Sequence, residues 1–62
     1  MPSGGYGLNA DDQKMIDQAY ETLSGTPYEA MIYEWFWAYA SARGAGASPA
    51  DASTAAYIEW DL

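Results

Sequence analysis

The sequence contains no cysteine and no histidine, and only two of its 62 residues are basic. Without cysteine there can be no disulfide and no thiolate ligand for zinc, although the redox compartment stays open. General acid–base catalysis usually relies on histidine, and covalent catalysis on an activated Ser, Cys or Lys, so we predict that the protein is not an enzyme. We also predict no cofactor and no metal, because Asp11, Asp12 and Asp17 lack the spacing of a calcium-binding loop.

The scarcity of basic residues excludes several kinds of partner. Lys14 and Arg43 face nine Asp and Glu residues, and the formal net charge is −7. Because Lys and Arg supply most of the affinity for phosphates, we expect no direct binding to nucleic acid or to an anionic membrane. The apolar run around Trp35 is shorter than the roughly 20 residues that span a bilayer, and the N-terminus lacks a signal-peptide pattern. We therefore expect a cytoplasmic protein whose protein partner, if charged, is basic.

What the sequence does contain is aromatic residues, concentrated between positions 28 and 43. This stretch has one β-branched residue, Ile32, and is longer than a typical strand, so the pattern predicts a helix. Residues 26–29 (Thr-Pro-Tyr-Glu) fit a capping box with proline at the first helical position. Gly44 fits the left-handed position that ends many helices. We predict a helix over residues 27–43.

Two further helices are predicted from the same kinds of signal. Asn9 is a favourable N-cap for a helix over residues 10–24, and Ser48-Pro49 begins a third helix over residues 49–60. The fold class is therefore all-α: a small three-helix bundle, made of a helical hairpin plus a third helix. We predict one domain at residues 9–62 after a flexible, glycine-rich N-terminal arm at residues 1–8. The predicted core consists of the apolar residues on the facing helix sides: Met15, Ile16, Ala19, Leu23, Met31, Ile32, Trp35, Tyr39, Ala52, Ala56 and Trp60.

The middle helix has a second apolar face. At roughly 100° per residue, Tyr33, Trp37 and Ala40 fall on the side opposite the predicted core, with Glu29 and Glu34 flanking them. Helical periodicity leaves open whether this face is core or interface. Because Trp and Tyr are enriched at interface hot spots, we predict that these five residues bind a protein partner. The protein would then act as an inhibitor or an accessory subunit.

The sequence leaves two alternative functions open. The aromatic face could bind a second copy, which would make the chain a self-associating structural subunit. The protein could instead mimic nucleic acid, with Asp11, Asp17 and Glu21 along the first helix taking the place of phosphates. Small acidic helical proteins of this kind are typical of phage or mobile-element inhibitors, which is an analogy of size and charge alone.

Overall fold

Within residues 10–62, the part of the chain that the computed structural model describes, the protein forms three α-helices and no strand. Helix α1 spans Ala10–Leu23, α2 spans Ile32–Gly44, α3 spans Pro49–Glu59, and a 3-10 turn at Glu29–Met31 leads into α2. The predicted all-α three-helix fold is confirmed. The predicted arm at residues 1–8 and the Asn9 cap lie outside the described residues. Helices α2 and α3 make the most extensive contact, and none of the described helices has the length and hydrophobicity to cross a bilayer.

The predicted start of the middle helix at Pro27 is wrong, because the capping residues hold a turn. The Thr26 hydroxyl donates to the Leu23 carbonyl at 2.6 Å and accepts from the Tyr28 N–H at 3.1 Å. The Glu29 carboxylate accepts from the N–H of Gly25 at 2.9 Å. Such local side-chain bonds compete with helical pairing, so the chain passes through a 3-10 turn before α2 begins.

Of two other predicted helix boundaries, the start of α3 is confirmed and the glycine that ends α2 is not. Ser48 caps α3 as predicted, because its hydroxyl accepts from the Asp51 N–H at 3.2 Å and Pro49 is the first helical residue. The glycine that ends α2 is Gly46, with φ of 105°, and the prediction of Gly44 is wrong. The Gly46 N–H donates to the Arg43 carbonyl and the Ala47 N–H to the Ala42 carbonyl, both at 3.0 Å. These two bonds form a Schellman motif, which satisfies carbonyls that the helix leaves unpaired.

The core lies where the three helices meet. Its fully buried apolar residues are all among those predicted: Ala19, Leu23, Trp35, Tyr39, Ala52 and Ala56. The Trp35 ring stacks on Tyr39 with centroids 5.2 Å apart and meets Tyr57 at 5.6 Å and 60°. Ala52 and Ala56 are completely buried in the same cluster, where small side chains allow α3 to pack closely on α2.

Two members of the predicted core are not part of it. Trp60 is 37% exposed, and Met31, in the 3-10 turn, does not pack against the buried cluster. The other partly buried residues of the prediction, Met15, Ile16 and Ile32, do pack against it. Tyr57, nearly one turn before Trp60, takes the place beside Trp35, and α3 ends at Glu59. The indole of Trp60 is therefore left at the surface.

Candidate protein-binding surface

Tyr33 and Trp37 lie one turn apart on α2 and are 83% and 70% exposed. Of the buried residues of the same helix, Trp35 lies two positions from both, and Tyr39 lies two positions after Trp37. A step of two residues rotates a side chain by about 200° around the helix axis. The packing that buries Trp35 and Tyr39 between neighbours therefore directs Tyr33 and Trp37 away from the core.

Trp60, the residue that follows α3, extends this exposed aromatic area beyond α2. One recess of about 380 Å³ is lined by Tyr33, Glu34, Trp37 and Trp60. A second, of about 360 Å³, lies between α2 and α3 and shares both tryptophans. Its remaining lining is small side chains and one carboxylate: Ala38, Ser41, Ala42, Ala55 and Glu59. We call Tyr33, Trp37 and Trp60, together with Glu34 and Glu59, the tryptophan surface.

A separate apolar groove runs between α1 and α2. It has a volume of about 420 Å³ and is lined largely by Ile16, Tyr20, Ile32, Tyr33 and Phe36. Glu29 lines this groove and Glu34 lines the recess with Trp37, and Tyr33 lines both. Ala40 is exposed but lines none of these three recesses.

The tryptophan surface is negatively charged, and no basic side chain lies in its recesses. The side-chain carboxylates of Glu34 and Glu59 take part in no hydrogen bond or ion pair within residues 10–62. Of the two basic residues, Lys14 lies at a recess between α1 and the start of α3. Arg43 is paired with Asp12, which is the one ion pair in the described part of the chain. The carboxylates of the tryptophan surface therefore have no internal counter-charge.

Asp12, Tyr39 and Arg43 form a buried polar cluster that the sequence analysis missed. The Asp12 side chain, on a residue only 4% exposed, accepts a hydrogen bond from the Tyr39 hydroxyl. The Arg43 Nε donates to the Asp12 Oδ1 at 2.8 Å, and the Arg43 Nη1 donates to the Ala47 carbonyl at 2.8 Å. The signal was present, because Asp12 lies three and four residues before Met15 and Ile16 and so shares their helix face.

The environment of this cluster shifts two ionisation equilibria. Burial, and then the hydrogen bond to Asp12, raise the pKa of Tyr39 to about 12. The hydrogen bond to Asp12 raises the pKa of Arg43. The cluster joins the N-terminal turn of α1 to the C-terminal end of α2, and its groups are engaged with one another. Its role is therefore structural.

The residues of the predicted nucleic-acid-mimicking face are at the surface of α1. Asp11, Asp17 and Glu21 are all exposed, and Asp17 accepts a hydrogen bond from Gln13 at 2.9 Å. Across residues 10–62, no group of three or more carboxylates is placed to hold a metal ion. This face offers separate solvated charges, whereas the tryptophan surface combines charge with large apolar area.

Comparison with known proteins adds no family. The chain matches no protein-family model, no curated protein and no solved structure.

Proposed function

We propose that this protein acts by binding another protein through the tryptophan surface, as an inhibitor or an accessory subunit. The observation that carries the proposal is the exposure of Tyr33 and Trp37 beside Trp60. Large aromatic side chains dominate interface energetics, and Trp and Tyr are the residue types most enriched at hot spots. Burying this area against a partner would remove apolar surface that is costly to leave in water.

The charge of the chain favours a different protein as partner over a second copy. Two copies, each with a net charge of −7, would repel one another. Pairing through the tryptophan surface would also bring Glu34 and Glu59 close to their counterparts, because a two-fold interface places the same patch on both sides. A basic partner would be attracted by the same charges. Self-association is the alternative, and sedimentation at several concentrations distinguishes the two.

The test is affinity capture from the cells that produce the protein, with three matched baits: the parent, Trp37→Ala and Ile58→Ala. Ile58 is 73% exposed on α3 but lines none of the recesses of the tryptophan surface, so its truncation controls for the loss of exposed apolar area. We expect a partner that the parent and Ile58→Ala retain and that Trp37→Ala loses.

Two other outcomes would contradict the proposal. A partner retained equally by all three baits would bind elsewhere on the molecule. If that partner is released by a variant carrying Asp11→Asn, Asp17→Asn and Glu21→Gln, the acidic face of α1 is the binding site and nucleic-acid mimicry replaces the proposal.

A further inference from the structure

We propose that the tryptophan surface binds a cationic side chain, an arginine or lysine, presented by a basic segment of the partner. This inference rests on the proposed function and specifies the chemistry of its central contact. Three features of the surface support it. Within residues 10–62 its aromatic rings do not pair with other rings, its carboxylates are unpaired, and small residues line a recess that both indoles also line.

Within residues 10–62, the rings of the tryptophan surface pair with no other aromatic ring. In the described part of the chain the ring pairs are Trp35 with Tyr39 and Trp35 with Tyr57. Neither pair includes Trp37 or Trp60, although both of these line the same two recesses. The face of an aromatic ring carries negative electrostatic potential and attracts a cation placed over it, most strongly for tryptophan.

The carboxylates supply the second attraction. Glu34 lies in the recess with Tyr33, and Glu59 lies in the recess between α2 and α3. Two other acids are already engaged, since Asp12 is paired with Arg43 and Glu29 accepts from the Gly25 N–H. Glu34 and Glu59 have no such partner within residues 10–62. A cation bound in either recess would therefore meet a carboxylate that has no counter-charge among residues 10–62.

The shape of the recess suits a long side chain with a charged end. Its lining includes the small apolar side chains of Ala38, Ala42 and Ala55 together with the indoles of Trp37 and Trp60. The aliphatic stem of arginine or lysine can lie on such an apolar lining while its charged end bonds a carboxylate at the same surface. We expect arginine to bind more tightly than lysine, because its planar guanidinium both stacks on aromatic rings and bonds a carboxylate with two N–H groups.

The test follows the three indole N–H signals by NMR while a tryptophan-free Gly-Arg repeat peptide is added. The matched peptide carries citrulline, which keeps the shape of arginine and removes its charge. We expect the Trp37 and Trp60 signals to move with the arginine peptide and not with the citrulline peptide. The Trp35 signal should stay in place, because that indole is buried.

Paired variants separate this site from general attraction to an acidic protein. Glu34→Gln with Glu59→Gln removes the two site charges, whereas Asp17→Asn with Glu21→Gln removes two exposed charges of α1. We expect the first pair to weaken arginine-peptide binding by about fivefold, on the scale of losing two solvent-accessible ion pairs. The second pair should have a clearly smaller effect.

Equal weakening by both pairs, or equal shifts with both peptides, would overturn the cation site. The protein-binding role would still stand if Trp37→Ala released the captured partner, and the contact would then be apolar. If capture did not depend on Trp37, the proposed function itself would fail, whatever the peptides showed.

Discussion

Trp35 and Trp37 are two residues apart on α2, yet the first is 1% exposed and the second 70%. Tyr39 and Tyr33 repeat the contrast, at 2% and 83%. Both faces of the helix carry one tryptophan and one tyrosine, so composition does not decide which is buried. The neighbouring helices determine which face is buried, because the small residues of α3 allow close packing on the side of α2 that carries Trp35, while no described helix covers Trp37.

The two faces also differ in whether their polar groups have partners. On the buried face, Tyr39 is joined to Asp12, whose charge is matched by Arg43. On the exposed face, Glu34 and Glu59 have no partner within residues 10–62. Buried charge is costly unless it is paired, whereas exposed charge is solvated by water. The charges of the buried face are therefore paired within the described fold, whereas those of the exposed face can still accept a partner.

The largest expected effect on stability comes from truncating the tryptophan of the buried face. Trp35→Ala should lower the free energy of unfolding by about 3–5 kcal/mol, because it removes contacts and leaves a cavity. That is most of the stability of so small a domain. Urea unfolding followed by circular dichroism measures the loss. A variant that keeps the parent's unfolding midpoint would show that Trp35 is not central to the core.

The polar cluster gives the next largest effect. Asp12→Ala should cost about 1–3 kcal/mol, because it leaves the buried Tyr39 hydroxyl without its acceptor. Asp11→Ala is the matched control, since it removes an exposed carboxylate from the same helical turn. Thermal unfolding of both variants checks this, and equal melting temperatures would mean that the cluster contributes no stability.

Measuring the free energy of unfolding as a function of pH tests the same cluster without a substitution. The pKa of Tyr39 rises from 10.0 to about 12 on folding, so the neutral phenol is favoured in the folded state. This contribution is fully present below pH 10 and is lost as the pH rises through about 12. We expect a loss of about 2 kcal/mol over that interval in the parent, and a smaller one in Tyr39→Phe. Identical losses in the two proteins would contradict the assignment.

A smaller effect is expected at the cap of the helix that covers the buried face. Ser48→Ala should lose about 1 kcal/mol, because the Asp51 N–H loses its acceptor. Ser53→Ala, inside α3, controls for the loss of a hydroxyl without the loss of a cap. Chemical unfolding of both variants measures the difference. Equal midpoints would mean that the cap does not limit the stability of α3.

The fold was predictable because its signals are local. Caps and apolar stripes placed three helices and most of the core, including Trp35 and Tyr39. The start of α2 was not predictable from its cap motif, because the Thr26 hydroxyl bonds to the end of α1 instead. Asp12 was missed as a buried residue because charge was given more weight than its position on the apolar stripe.

The candidate site was less predictable than the fold. Helical periodicity put Tyr33 and Trp37 on one face, but it does not say how many neighbours cover that face. Trp60 shared the apolar face of the third helix and was assigned to the core for that reason. Its exposure depends on the packing of Tyr57 against Trp35, which is a contact between helices that single-helix patterns do not contain.

The most direct test of the binding role is the affinity of Trp37→Ala for the captured partner, measured by isothermal titration calorimetry beside the parent. We predict a dissociation constant at least about 30-fold higher, the size of a hot-spot loss of about 2 kcal/mol. The melting temperature should stay within about 2 °C of the parent, because the removed side chain is largely exposed. An unchanged affinity, or a loss of binding that accompanies unfolding, would contradict the account.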